Sequence, residues 1–372
     1  MAEQEKQAEG AGPQRPARKK RKLVRTLLFL LYLAVLAEIG SRVYWAANSG
    51  VPIFRPSAIV YRFYPHLRDS GVLEAKLGEG DGHLDVLMLG GSVLEDKFGT
   101  IEPHLREQLA EATGRPVRTY NLGRLALSTL DSRNKYRLLG ERQFDLVLLY
   151  HGINEVRMNN CPPEMFREDY THSTWYVRIN RLEDNWAMPV LTFPYTIEYT
   201  ALHVLGNKRL EFYLPRHRPK RQWMKYGSRI RTDVAFRRNV EAILARAGRK
   251  REPVLLMTFA SYVPADYSLE KFLAKELDYG KHGSPLEIWG EAANVVAGMA
   301  AHNAVIRSVA ARSKGTIFVD QAKRMPGGAA NFDDCCHLTD AGCRLFVQNL
   351  VPAVVEHLGP EEAAATTRAG GR

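Results

Sequence analysis

From Asp85 onward, short unbroken apolar runs alternate with longer stretches in which apolar residues recur every three or four positions. Five runs read as strands: Asp85–Leu89, Val117–Tyr120, Asp145–Tyr150, Val254–Phe259 and Thr316–Asp320. The longer stretches read as helices: Ile101–Thr113, Leu127–Gly140, Ala235–Ala247, Ala292–Ser313 and Ala341–His357. A run such as Asp-Leu-Val-Leu-Leu-Tyr (145–150) lacks the in–out alternation of a half-exposed strand, which predicts burial on both faces. Continuous apolar strands alternating with helices predict an α/β protein with a three-layer parallel sheet.

The N-terminal pattern is different. Residues 1–22 are polar and basic and read as a disordered tail. An apolar run, Thr26–Ala37, follows at once. Residues 23–46 reach the roughly 20 needed to span a bilayer if Glu38 and Arg42 are accommodated. Those two lie four apart and can pair on one helix face, while Tyr44 and Trp45 suit the interface belt. The basic flank predicts a signal anchor, with the tail inside and everything after Ala47 extracytoplasmic, periplasmic or extracellular. Two alternatives stay open: a cleaved signal peptide, with Val35 and Ala37 ahead of a cut before Glu38, and a buried helix of a cytoplasmic protein.

Residues 47–80 read as a linker carrying Pro56 and Pro65, 81–358 as the globular domain and 359–372 as a frayed tail. The stretch 157–233, rich in Trp, Tyr, Pro and Arg, breaks the strand–helix rhythm. It reads as an insertion packed over the active edge of the sheet.

Charge adds one decision. The net charge of +11 gathers in the tail and in Lys208–Arg251. With the tail read as a topology signal, no nucleic-acid partner is expected, and the second cluster suggests an anionic or membrane-proximal substrate. The four cysteines, Cys161, Cys335, Cys336 and Cys343, would meet an oxidising compartment. A disulfide from Cys161 to Cys335 or Cys336 is expected, with Cys343 a buried thiol; four reduced thiols are the alternative.

Ligands of a parallel sheet bind at the carboxyl ends of its strands. Four segments fall there: Gly90-Gly91-Ser92-Val93, Asn121-Leu122-Gly123, Gly152-Ile153-Asn154-Glu155 and Asp334-Cys335-Cys336-His337-Leu338-Thr339-Asp340-Ala341-Gly342. The first is no phosphate cradle, because neither GxxxxGK[ST] nor GxGxxG is present there. Together the four supply a hydroxyl nucleophile, a base and candidate oxyanion donors. The cluster Asp333, Asp334, Cys335, Cys336 and His337 also admits a metal reading, but adjacent cysteines lack zinc-site spacing, so no metal is expected.

In their order, and in their position after successive strands, these segments resemble the four blocks of the SGNH hydrolases, which include the GDSL esterases and lipases. The resemblance covers about Asp85 to His357. It implies a flavodoxin-like parallel sheet and a serine hydrolase needing no cofactor. Carried over by residue, it makes Ser92 the nucleophile, His337 the base and Asp334 the acid, with Asp333 as rival for the acid. It makes Ser92 N–H, Gly123 N–H and the Asn154 amide the oxyanion donors. Two positions depart from the usual pattern: Gly91 and Glu155 each stand where Asp is common. The implied activity is O-acyl or O-acetyl ester hydrolysis, or O-acyl transfer, on carbohydrate or another cell-envelope substrate. The alternative is an inactive module of this fold that binds anionic glycan or lipid.

Overall fold

The computed structural model describes residues 16–78, 81–183, 191–204 and 213–358. Residues 1–15 of the expected tail and the whole of 359–372 lie outside them, as do Lys208 and Arg209 of the basic cluster. The chain divides into two units: Met1–Arg62 with Leu182–Leu205, and Phe63–Arg181 with Gly206–Arg372.

The larger unit holds a five-stranded parallel sheet: β1 (Leu84–Gly90), β2 (Val117–Asn121), β3 (Leu146–Tyr150), β4 (Val254–Met257) and β5 (Thr316–Val319), in the order β2-β1-β3-β4-β5. Every residue of β1, β3 and β4 is buried, as their unbroken apolar runs demand. At the sheet edge, β5 leaves Phe318 exposed.

In the smaller unit α1 runs Pro16–Ser49. The larger unit has α2 (Ile101–Thr113), α3 (Thr129–Leu138) and α4 (Thr174–Glu183, of which Leu182 and Glu183 pass to the smaller unit); the smaller adds α5 (Phe193–Val204). The larger continues with α6 (Thr232–Lys250), α7 (Ala292–Ala310) and α8 (Asp340–Leu358). Helix α2 packs on α8, while α6 packs on both α3 and α7. These two groups form the outer layers that right-handed crossovers require when the strand order runs out to β2 and then back through β3, β4 and β5.

All ten expected elements are present, and their ends shift for local reasons. Helix α3 starts at Thr129 rather than Leu127 because Ser128 caps it: the Ser128 side chain accepts from Leu130 N–H, and Asp131 reaches back to the Ser128 N–H at 2.8 Å. Strand β4 stops at Met257 because the Thr258 hydroxyl turns to Asp320 (2.7 Å) and the Phe259 backbone is held by Asn303.

Several expectations need correction. Helix α1 begins at Pro16, so residues 16–22 of the expected disordered tail are helical. The 47–80 stretch is not a loose linker: Tyr64, Leu67 and Val72 are fully buried, and the Tyr64 hydroxyl bonds Asp131 (2.9 Å). The 157–233 stretch is not one insertion over the sheet edge. Its flanks build a second core with α3 and α6, from Leu130, Met158, Tyr170, Tyr176, Leu214, Trp223 and Ala235. Its middle part, Leu182–Leu205, belongs to the unit of α1.

The expected disulfide is absent. All four cysteines are free and buried. Cys161 lies in that second core, whereas Cys335, Cys336 and Cys343 lie in the main core around the sheet. Several basic residues of the stretch lie over aromatic rings. Arg216 lies 3.6 Å from the Trp175 ring centre, Lys220 4.0 Å from Trp223 and Arg231 4.6 Å from Phe166.

Candidate active site

Ser92 lies one residue past β1, after Gly91, and opens a short turn, Ser92–Leu94. The bend brings the backbone close to its neighbours. A Cβ on Gly90 would meet the Leu94 side chain at 2.5 Å, and one on Gly91 would meet Asn154 Nδ2 at 2.6 Å. In this structure the space beside Gly91 is taken by Asn154 Nδ2.

Ser92, His337 and Asp334 come together. Ser92 Oγ lies 2.9 Å from His337 Nε2 across 245 residues of chain. His337 Nδ1 lies 2.8 Å from Asp334 Oδ2 and 3.0 Å from Oδ1. Asp334 Oδ1 also accepts the backbone N–H groups of Cys336 (3.0 Å) and His337 (2.9 Å). Asp334 thus locks the turn that presents His337. Phe98 stacks on the imidazole, with centres 4.8 Å apart. Asp333 turns away to Lys281 Nζ at 2.6 Å. Ser92 is only 2% exposed, Asp334 1% and His337 5%. A cleft of about 360 Å³ opens beside them, lined by Lys97, Phe98, Lys281, Ser284 and His337 among others.

The expected oxyanion donors are placed unequally. Asn154 sits in the single helical turn Ile153–Val156 after β3. Its Nδ2 gives one hydrogen to Leu127 O (2.9 Å), and its Oδ1 accepts from Trp289 Nε1 (3.1 Å). The indole fixes which end of the amide faces Gly91 and the Ser92 turn. Gly123 is packed too tightly for a side chain, its Cβ position lying 2.7 Å from Leu94 Cβ. Its N–H, however, already donates to Asn121 Oδ1 at 2.9 Å.

Sequence reasoning missed Trp289, Phe98 and a layer of buried polar groups under the site. Lys135, with no exposed surface, donates from Nζ to Leu122 O at 2.5 Å, on the peptide whose N–H belongs to Gly123. Burial lowers its pKa to about 7. Burial likewise raises Glu155 to about 7; one of its oxygens accepts the Thr129 N–H, and the other has no partner among the described residues. A signal existed: Asp131 and Lys135, four apart, occupy a helix face that should be apolar.

Asp334, Cys335 and Cys336 bring potential ligand atoms within 4.8 Å of one another. As a metal site this donor set fits poorly. Asp334 is committed to His337 and two amides, and burial pushes both thiols up, away from the thiolate a metal needs.

No family model matches the chain, and no curated protein matches it. Among solved structures it is similar to a GDSL-like lipase from Bacteroides thetaiotaomicron, with 13% identity and a TM-score of 0.41 over 79% of this chain and 98% of that one. It is also similar to a lipase/acylhydrolase from Enterococcus faecalis, with 12% identity and a TM-score of 0.39 over 73% and 95%. An acetylxylan esterase from Geobacillus stearothermophilus gives 12% identity and a TM-score of 0.39 over 73% and 94%. These scores are too low to say more of this chain, and the candidate active site stands on its own distances.

Proposed function

We propose that this chain is a membrane-anchored serine hydrolase of the SGNH type that cleaves acyl esters outside the cytoplasm. The observation that carries the reading is the continuous relay from Ser92 Oγ through His337 to Asp334, at 2.9 and 2.8 Å. Ser92 Oγ attacks the acyl carbon as His337 Nε2 takes its proton. Asp334 stabilises the imidazolium, and the Asn154 amide and the Ser92 N–H receive the oxyanion. His337 then gives the proton to the leaving alkoxide, and an alcohol departs. Water, deprotonated by His337, attacks the acyl-enzyme, and the acid leaves with Ser92 restored. A sugar hydroxyl in place of that water makes the same site an O-acyltransferase.

The near closure around Ser92 favours a short acyl group, such as acetyl, on carbohydrate or another envelope molecule. The apolar helix Lys20–Ser49, long enough to cross a membrane or to serve as a signal sequence, supports the anchor. The test is hydrolysis of chromogenic acetyl and decanoyl esters by the detergent-solubilised full chain. The acetyl ester is expected to be cleaved faster, with activity lost in Ser92→Ala. No activity in the unsubstituted chain would return it to the binding-module reading, and full activity in Ser92→Ala would take the nucleophile's role from Ser92. A reporter fused after Trp45 is expected to read outside, and an inside reading would refute the location.

A further inference from the structure

Glu38 is an acidic residue at the end of an apolar run, and the structure gives it four donors. Its carboxylate accepts the Thr192 N–H (2.8 and 2.9 Å to its two oxygens), the Phe193 N–H (2.9 Å), the Thr192 hydroxyl (3.1 Å) and Arg42 Nε (2.7 Å). Thr192 and Phe193 open helix α5, so Glu38 caps that helix from α1, where the helix dipole favours a negative charge. Further along, Ser41 bonds Thr192 (2.8 Å) and Thr196 (2.6 Å), Trp45 Nε1 bonds Thr196 Oγ1 (2.8 Å), and the Trp45 ring lies 5.1 Å from Tyr199. Partners climb both helices in step, so α5 runs alongside α1 in the same direction. Trp45, expected in the interface belt, is instead fully buried under α5.

This register sets a depth. A hydrocarbon core about 30 Å thick takes about 20 residues of helix at 1.5 Å each. Counted from Leu23, it reaches the level of Arg42, beyond the end of the pure apolar run at Ala37. The level of Glu38 is thus still within hydrocarbon, where lipid offers a carboxylate no partner. At that level α5 presents Leu191 (61% exposed) and Phe193 (37%), and one turn later Ile197 (54%), while α1 presents Ile39 and Val43. Together these residues complete an apolar collar that α1 alone leaves unfinished.

Resting on the anchor reading above, we propose that the first turns of α5 are embedded in the bilayer beside α1. The protein then meets the membrane through two helices, and Glu38 holds the second in place. The occupant of the exposed apolar face of α5 is lipid.

The test places single cysteines in the full-length chain at Leu30→Cys, Leu191→Cys, Phe193→Cys and Thr200→Cys. Each is labelled with an environment-sensitive dye and reconstituted in phosphatidylcholine vesicles carrying doxyl-labelled acyl chains, with unsubstituted protein as the blank for its buried thiols. Emission is expected to be quenched and blue-shifted at 30, 191 and 193, and unquenched at exposed Thr200. In Glu38→Ala, quenching at 191 and 193 is expected to be lost while that at 30 persists. Unquenched dyes at 191 and 193 with a quenched dye at 30 overturn the proposal and leave the anchor intact. An unquenched dye at 30 overturns the anchor and the proposal with it. Persistent quenching at 191 in Glu38→Ala overturns the role of Glu38.

Discussion

Asp333 and Asp334 are adjacent in sequence and have different partners: the first pairs with Lys281, and the second holds both the ring and the backbone of His337. Their substitutions should therefore separate cleanly. Asp334→Asn is expected to lower kcat on the order of 10⁴-fold, through the wrong tautomer of His337, while Asp333→Asn leaves turnover within a few-fold. Equal losses in steady-state kinetics would reassign the acid. Ser92, Asn154, Asp334 and His337 were legible in the sequence because their chemistry is carried by residue type and by position after a strand. Trp289 and Lys135 were not, because what they do depends on partners far along the chain: Trp289 on Asn154, 135 residues away, and Lys135 on a carbonyl. Gly123 was only half legible. Its lack of a side chain is required, but the Asn121 side-chain oxygen Oδ1 that takes its N–H could not be read from the pattern.

Strands and helices were the easiest elements to read, since each is written in one local stretch with its own period. The 157–233 stretch failed as a single element for the opposite reason. Its pieces are fixed by distant partners, some in the second core and some on α1, and no local period records that division. The cysteines failed in the same way. A shared edge of the sheet suggested that Cys161 and the His337 loop would meet, yet the side chains enter two different cores. The native protein should accordingly show four slowly reacting thiols that become fast only on unfolding, and activity should be indifferent to reductant. Non-reducing peptide mapping that found Cys161 bridged to Cys335 or Cys336 would contradict this arrangement.

The larger unit as a whole carries a pH signature in its buried charges. A carboxyl like Glu155 titrates near its ordinary 4.5 when unfolded and near about 7 when folded. Between those values the folded state keeps a proton the unfolded chain has lost, so stability is greatest below 4.5 and declines up to about 7. Lys135 acts in the other range. Folded it titrates near about 7 and unfolded near 10.5, so its burial penalty is full below 7 and relieved as pH rises towards 10.5. Denaturant unfolding against pH should show Glu155→Gln flattening the acid limb and Lys135→Met the alkaline limb, each by about 1.4 kcal/mol per pH unit at most. Unchanged slopes would mean that these groups are ionised as in water. The 245 residues between Ser92 and His337 carry a consequence for biosynthesis. Ser92 is made early, and His337 and its partner Asp334 arrive on one turn near the end of the chain. On the proposed mechanism, a chain still on the ribosome therefore holds a hydroxyl with no base beside it, and it gains its reactivity only when the last loop closes onto the first strand.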